Sequence, residues 1–164
     1  MPYLRHFLFM LVALSTLQLS ACGFQMRGSY QVPEQLQEVS LQAPSRSELG
    51  NRLQRELLRY EVVISPRESD ITHIELHEDY LDRRILSLLT SGQVAEYELI
   101  YTAPVTVHTL DGRLEQHEIQ IFRDYQEDPN FALAKTRELE IIVNEMRDDA
   151  VQRLMMLLTR VTLE

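Results

Sequence analysis

The sequence predicts an α+β fold in which two helices pack on one face of a mostly antiparallel sheet of about four to five strands. Three observations carry that expectation. Residues 71–127 alternate apolar and polar side chains and are divided by two glycine-containing turns, the pattern of half-buried strands. Two other stretches repeat their apolar residues every three or four positions, as one-sided helices do. The order strand, helix, strand, meander, helix stacks the helices on a sheet rather than interleaving them with parallel strands.

Each element has its own local reason. From Gly23 to Pro44 the chain is polar and turn-rich, and only Val39 to Leu41 reads as a short strand. Ser45-Arg46-Ser47-Glu48 has the capping-box pattern, with Ser45 at the cap and Glu48 three residues on. Leu49, Leu53, Leu57 and Leu58 then make an apolar stripe, so the helix runs to about Tyr60. Val62-Val63-Ile64, ahead of Pro66, reads as a short buried strand.

The meander follows. Ile74 and Leu76 alternate with His73, Glu75 and His77, while Tyr97, Leu99, Tyr101, Val105 and Val107 share one parity. Ser91-Gly92 and Asp111-Gly112 sit between the apolar runs as hairpin turns, giving three long antiparallel strands. Pro104 lacks the ladder N–H, so a bulge or an unpaired edge is expected there. Asp128-Pro129-Asn130 ends the sheet, with Asn130 able to cap what comes next. Leu139, Val143, Met146, Ala150, Leu154, Leu157 and Val161 define a second helix from Phe131 to about Val161, long enough to invite a kink near Thr136 to Glu138.

The N-terminus points to secretion and lipid attachment. Arg5 and His6 form a short basic start, and the apolar run from Phe7 to Leu17 has the length of a signal-peptide core, too short to span a bilayer. The sole cysteine, Cys22, follows Leu19-Ser20-Ala21, which resembles the lipobox of bacterial lipoproteins. That resemblance implies cleavage between Ala21 and Cys22 and acylation of Cys22. Two or more acyl chains hold a protein stably at a bilayer, each buried methylene contributing roughly 0.8 kcal/mol. Gly23, in place of the Asp that favours inner-membrane retention in lipoproteins generally, favours the outer membrane. The organisation expected is a lipoprotein signal peptide over 1–21, a lipidated N-terminal tether over 22–38 and a single α+β domain over 39–164.

Charge and composition exclude several functions. The formal charge is −9, and −10 once Arg5 leaves with the leader. An acidic chain of this kind is no binder of nucleic acid or of an anionic bilayer face, since both reward clustered Lys and Arg. Contact with an anionic ligand must be local, and Lys135 is the only lysine. It falls near a helix start, where unpaired N–H groups and the helix dipole also favour anions. Lys135 with Arg123 and Arg137, and then Arg83 and Arg84, are the candidate contacts for a phosphate-bearing ligand.

No enzyme is expected. With Cys22 consumed by lipid, no nucleophile remains in a Gly-x-Ser-x-Gly elbow. The carboxylate pairs Glu78-Asp79 and Asp148-Asp149 are adjacent rather than facing and read as solvated surface. His73, Glu75 and His77 share one face of a strand, but residues two apart lie about 6.6 to 7 Å from each other. Three of them in line cannot close around one zinc at about 2.0 to 2.2 Å. The expectation is a solvated strand face with no metal and no cofactor. The hairpin tip is different: Ile85, Leu86, Leu88 and Leu89 approach Ser91-Gly92 without clean alternation, so some apolar side chains point away from the helices. Either the helices still cover this end of the hairpin or these residues form an apolar contact surface at the tip.

Four segments together resemble one family. Cys22-Gly23-Phe24-Gln25-Met26-Arg27-Gly28 is similar to the Cys-Gly-aromatic-x-Leu-Arg start of LptE, the LPS-assembly lipoproteins. Gly92-Gln93-Val94-Ala95-Glu96-Tyr97 resembles that family's G-Q-x-A-E-Y turn and strand, Ala132-Leu133-Ala134-Lys135 its A-L-A-K helix start, and Glu145-Met146 its E-M element. The resemblance implies a noncatalytic lipoprotein on the periplasmic side of the outer membrane. Such a protein plugs the β-barrel LptD one to one, assists its assembly and takes part in lipopolysaccharide transport to the surface. The tip residues Leu89-Thr90-Ser91 offer no cation, and the chain lacks the polar C-terminal tail of some members. The rival expectation is a lipid-anchored periplasmic scaffold of another envelope complex. A metal-dependent hydrolase rests only on the histidines.

Overall fold

The computed structural model describes residues 32–161 together with His6. The rest of the leader, the cleavage site, Cys22 and the tether up to Gln31 lie outside the described residues. A 3-10 turn at Glu34–Leu36 leads into β1 (Glu38–Gln42), α1 (Glu48–Arg59), β2 (Val63–Ile64), β3 (Thr72–Leu76), β4 (Tyr80–Leu88), β5 (Val94–His108) and β6 (Leu114–Gln126). A second 3-10 turn, Pro129–Phe131, opens α2 (Ala132–Val161). Packing begins earlier than Val39: Leu36, within the stretch read as tether, is buried in the core with Val32 beside it.

The fold class is the predicted α+β one, with a six-stranded sheet that is mixed rather than nearly all antiparallel. β1 runs parallel to both β2 and β3. β3 and β4 both pair antiparallel with β5, and β6 pairs along nearly the whole of its other edge. β3 meets residues 105–108 of β5 and β4 meets residues 94–102, so the two short strands lie end to end along one side. The first of the three long strands predicted is thus broken at His77–Asp79. β2 also departs from the buried strand predicted, since Val62 is buried but Val63 is exposed at the sheet margin.

Pro104 explains the break. It lies inside β5, opposite Glu118 of β6, and its carbonyl accepts from the His77 N–H at 3.1 Å. A strand residue directs its N and C=O to the same edge. The missing N–H of Pro104 therefore faces the gap where β3 has ended and β4 has not begun, and no ladder bond is lost there. The gap is bridged from within the core: the buried Tyr101 hydroxyl donates to Asp79 Oδ2 at 2.6 Å. Burial, and then that bond to Asp79, push the Tyr101 phenol well above its usual range, so it stays a donor at any working pH. Asp79 is a structural acceptor and not the solvated carboxylate predicted.

Both hairpins close through three-residue loops. Leu89 and Thr109 each donate N–H to a carbonyl four residues on, and Gly92 and Gly112 donate back to them. The glycines hold φ of 83° and 84°, the left-handed position of a turn with a bulge, where a Cβ is disfavoured. The Asp-Gly signal therefore marks a hairpin with one more loop residue than a two-residue turn. In the second loop Asp111 accepts from Thr109 Oγ1 and from Arg113 Nε, and these bonds, Thr109 first, pull its carboxyl down to about 2.

The helices cover one face. α1 begins after a left-handed Arg46 (φ 68°), and its cap is Ser47, whose Oγ accepts from Gly50 N at 2.9 Å. Ser45 is not the cap, because the Pro44–Ser47 turn must first reverse the chain. Leu49, Leu53 and Leu57 are buried as the stripe requires. Asp128 caps the turn before α2 by accepting from Asn130 N, reversing the role predicted for Asn130. α2 then continues for 30 residues as a single helix through Thr136–Glu138. Its fully buried side chains start at Met146, with Leu139 and Ile142 partly buried against the core ahead of it, so its first turns reach past the core toward Tyr125 of the outer hairpin. Arg52 of α1 binds Asp148 and Asn144 of α2, and Arg153 donates to the Gln120 carbonyl of β6, fixing the helices to each other and to the sheet.

Two outcomes follow from these contacts. Tyr101→Phe removes the bond that spans the strand break and is expected to destabilise the fold by about 1 to 2 kcal/mol, measured by urea unfolding at pH 7. Asp111 has a folded pKa below the ordinary 3.8, so its contribution is present above that value and lost as pH falls through about 2. Carboxyl NMR titration should give Asp111 a midpoint near 2, and Thr109→Ala should raise it.

Candidate functional site

The tip candidates stand exposed. Ile85, Leu86, Leu88 and Leu89 are 55%, 46%, 59% and 45% accessible, although Leu86 shares a groove with Glu138 of α2. The β4–β5 register slips between Ile85 and Leu88, a bulge that breaks the alternation of faces and turns several apolar groups outward together. Phe131, Leu133 and Ile141, on and just before the first half of α2, are also exposed. Sequence reasoning missed these three because they fall outside the apolar stripe of the helix, and single apolar residues off a stripe carry no site signal.

The cation candidates divide between faces. Arg83 and Arg123 pair with Leu99 from either side and share the helix-facing side of the sheet, while Arg84, one residue on, faces away with Glu98. Arg83 lies 6.0 Å from the Tyr97 ring centroid, and Arg123 pairs with Asp149 of α2. Lys135, in the first turn of α2, binds Glu138 at 2.8 Å and sits 5.2 Å from the Tyr125 ring, whose hydroxyl donates to the Lys135 carbonyl at 3.0 Å. The bond to Glu138 raises the ammonium pKa above its ordinary value and keeps it charged. Arg137 is exposed on the same helix. The nearby groove is lined by Leu86, Glu96, Asp124, Tyr125, Gln126 and Glu138, so its rim is acidic. An anionic group reaching Lys135 meets Glu138 as a competitor for the same ammonium.

The histidine reading changes. His77 leaves the strand at the break and binds Thr106 Oγ1 at 2.8 Å. His73 stays in β3 but is only 3% accessible, so it is not on a solvated face. Burial lowers its pKa and keeps the ring neutral, with the Arg67 and His108 charges acting in the same direction and Glu75 opposing. Its neighbour is His108 of β5, with ring centroids 5.3 Å apart.

Two helices over one face of a long-hairpin sheet, with an uncovered apolar tip, define an α+β module built for surface contact. The chain belongs to the LptE family, described as Lipopolysaccharide-assembly, whose model matches residues 36–158. It is 33% identical over 155 residues to the LPS-assembly lipoprotein LptE of Pectobacterium atrosepticum, covering 92% of this chain and 84% of the relative. The Yersinia enterocolitica protein of the same name is 31% identical over 155 residues, covering 92% and 75%. In three dimensions the chain is similar to the crystal structure of the rare lipoprotein B from Shewanella oneidensis, with TM-score 0.72 and 36% identity over 76% of this chain and 95% of that one. The solution structure of a lipoprotein B from Nitrosomonas europaea shares the fold at TM-score 0.61 and 24% identity, covering 79% and 90%. Membership makes this a noncatalytic lipoprotein of the envelope with a role in lipopolysaccharide assembly.

Proposed function

We propose that the chain is anchored by an acylated Cys22 on the periplasmic side of the outer membrane. There it plugs an LptD-type β-barrel one to one, assists its assembly and contributes to lipopolysaccharide delivery. The observation that carries the reading is the exposed apolar tip of Ile85, Leu86, Leu88 and Leu89 on a chain of this family. Four large apolar groups held outward by a bulged hairpin gain by leaving water, at about 25 cal/mol per Å² of apolar surface covered. A barrel wall or acyl chains supply such cover, and the helix-facing cations beside the tip supply donors for a phosphate once Glu138 and Asp149 are displaced.

Affinity purification of tagged full-length chain from membranes in mild detergent should retain a large outer-membrane barrel in stoichiometric amount. Leu88→Asp with Leu89→Asp should reduce that yield severalfold while leaving thermal stability nearly unchanged, because exposed positions contribute little to folding. No barrel under these conditions turns the reading toward a lipid-anchored scaffold of another complex. Lys135→Asp in the purified protein should weaken lipopolysaccharide binding, and an unchanged affinity removes Lys135 from the contact set.

A further inference from the structure

β3 and β5 place His73 directly opposite His108, and Glu75 two residues along β3 on the same face. One potential ligand atom from each of His73, Glu75 and His108 lies within 4.8 Å of the others, and His108 Nε2 is 3.9 Å from Glu75 Oε2. Three ligands in line on one strand are too far apart, but here only His73 and Glu75 share a strand, and His108, directly opposite His73, lies close enough for the side chains of all three to converge. His73 supplies a separate observation: it is almost wholly buried, and neither ring nitrogen has a hydrogen-bond partner among the described residues. A buried imidazole with both nitrogens unsatisfied is costly unless something binds it.

We propose that His73, Glu75 and His108 form a binding site for one divalent transition metal, best suited to zinc. Two imidazoles and one carboxylate are a borderline-soft donor set that suits zinc and excludes magnesium, which requires oxygen ligands. Tetrahedral ligation at about 2.0 to 2.2 Å brings donors within about 3.3 to 3.5 Å of each other. The cluster must contract by roughly an ångström to reach it. Side-chain rotation of Glu75 and His108 provides this, because both are partly exposed, at 31% and 29%, whereas buried His73 stays fixed. That exposure also leaves a fourth position open to water. Bound metal joins β3 to β5 on the face away from the helices, at the end of β5 remote from the hairpin tip.

Zinc chloride titrated into tag-free, detergent-solubilised full-length chain is expected to bind one ion per molecule and to raise Tm. His108→Gln and Glu75→Gln should each weaken binding by more than about tenfold. His117→Gln, on β6 and already beside Glu115, should leave it unchanged. Cobalt substituted for zinc should give visible d–d bands in the wild type that His108→Gln abolishes, a signal insensitive to small changes in stability. Absence of zinc binding by the wild type overturns the site, as does binding that survives His108→Gln or disappears with His117→Gln.

Discussion

Everything in this fold depends on satisfying both edges of one long strand. β5 runs for 15 residues through the sheet, and each of its backbone donors and acceptors must find a partner or water. β6 serves one edge almost completely. The other edge is served in two instalments, by β3 near the core and by β4 near the tip, and the junction coincides with a proline that has no donor to satisfy. Tyr101 and Asp79 then close the junction from the helix side. The break lets one continuous sheet have two environments: a root beneath both helices, and an outer hairpin toward which only the first turns of α2 reach.

That division organises the chemistry. Apolar groups at the root are covered, as Ile74, Val105, Val107 and Ile121 are, whereas those at the tip are not. Three of the cations near the tip carry acidic partners, Arg84 with Glu98, Arg123 with Asp149 and Lys135 with Glu138, while Arg83 lies by the Tyr97 ring and Arg137 is exposed. A ligand with phosphate groups competes with carboxylates for the same donors. On the proposed function, recognition of that kind would favour ligands bearing several charges and a large apolar body, which together displace the resident pairs and cover the tip.

Local features were legible in the residues and long-range ones were not. The leucine stripe of α1, the parity of β5 and the glycine turns are written in spacings of two to four residues and appear in the structure, except that Leu58 is exposed and the turns hold one more residue than a two-residue hairpin. Pro104 was read correctly as a disruption, but its context depends on where β3 stops, which no local pattern records. The parallel pairing of β1 with β2 and β3 likewise leaves no mark on any one strand. Ser45 and Ser47 are equally good caps by residue type, and the left-handed Arg46 between them decided the matter. Among site residues, the exposure of Leu88 and Leu89 followed from broken alternation. The approach of His108 to His73 follows from cross-strand register alone, and so could not be found by scanning for close spacing.

Among the described residues the sheet has two long margins, β4 and β6, and each carries an array of unspent backbone groups that in other proteins seeds fibrils. Here those margins are guarded. β4 has Asp82, Arg83 and Arg84 followed by its bulge, and β6 has Glu115, Glu118, Arg123 and Asp124. Copies crowded together by a greasy tip are thereby kept from zipping into ribbons, which lets the molecule keep a sticky end without polymerising through its own sheet.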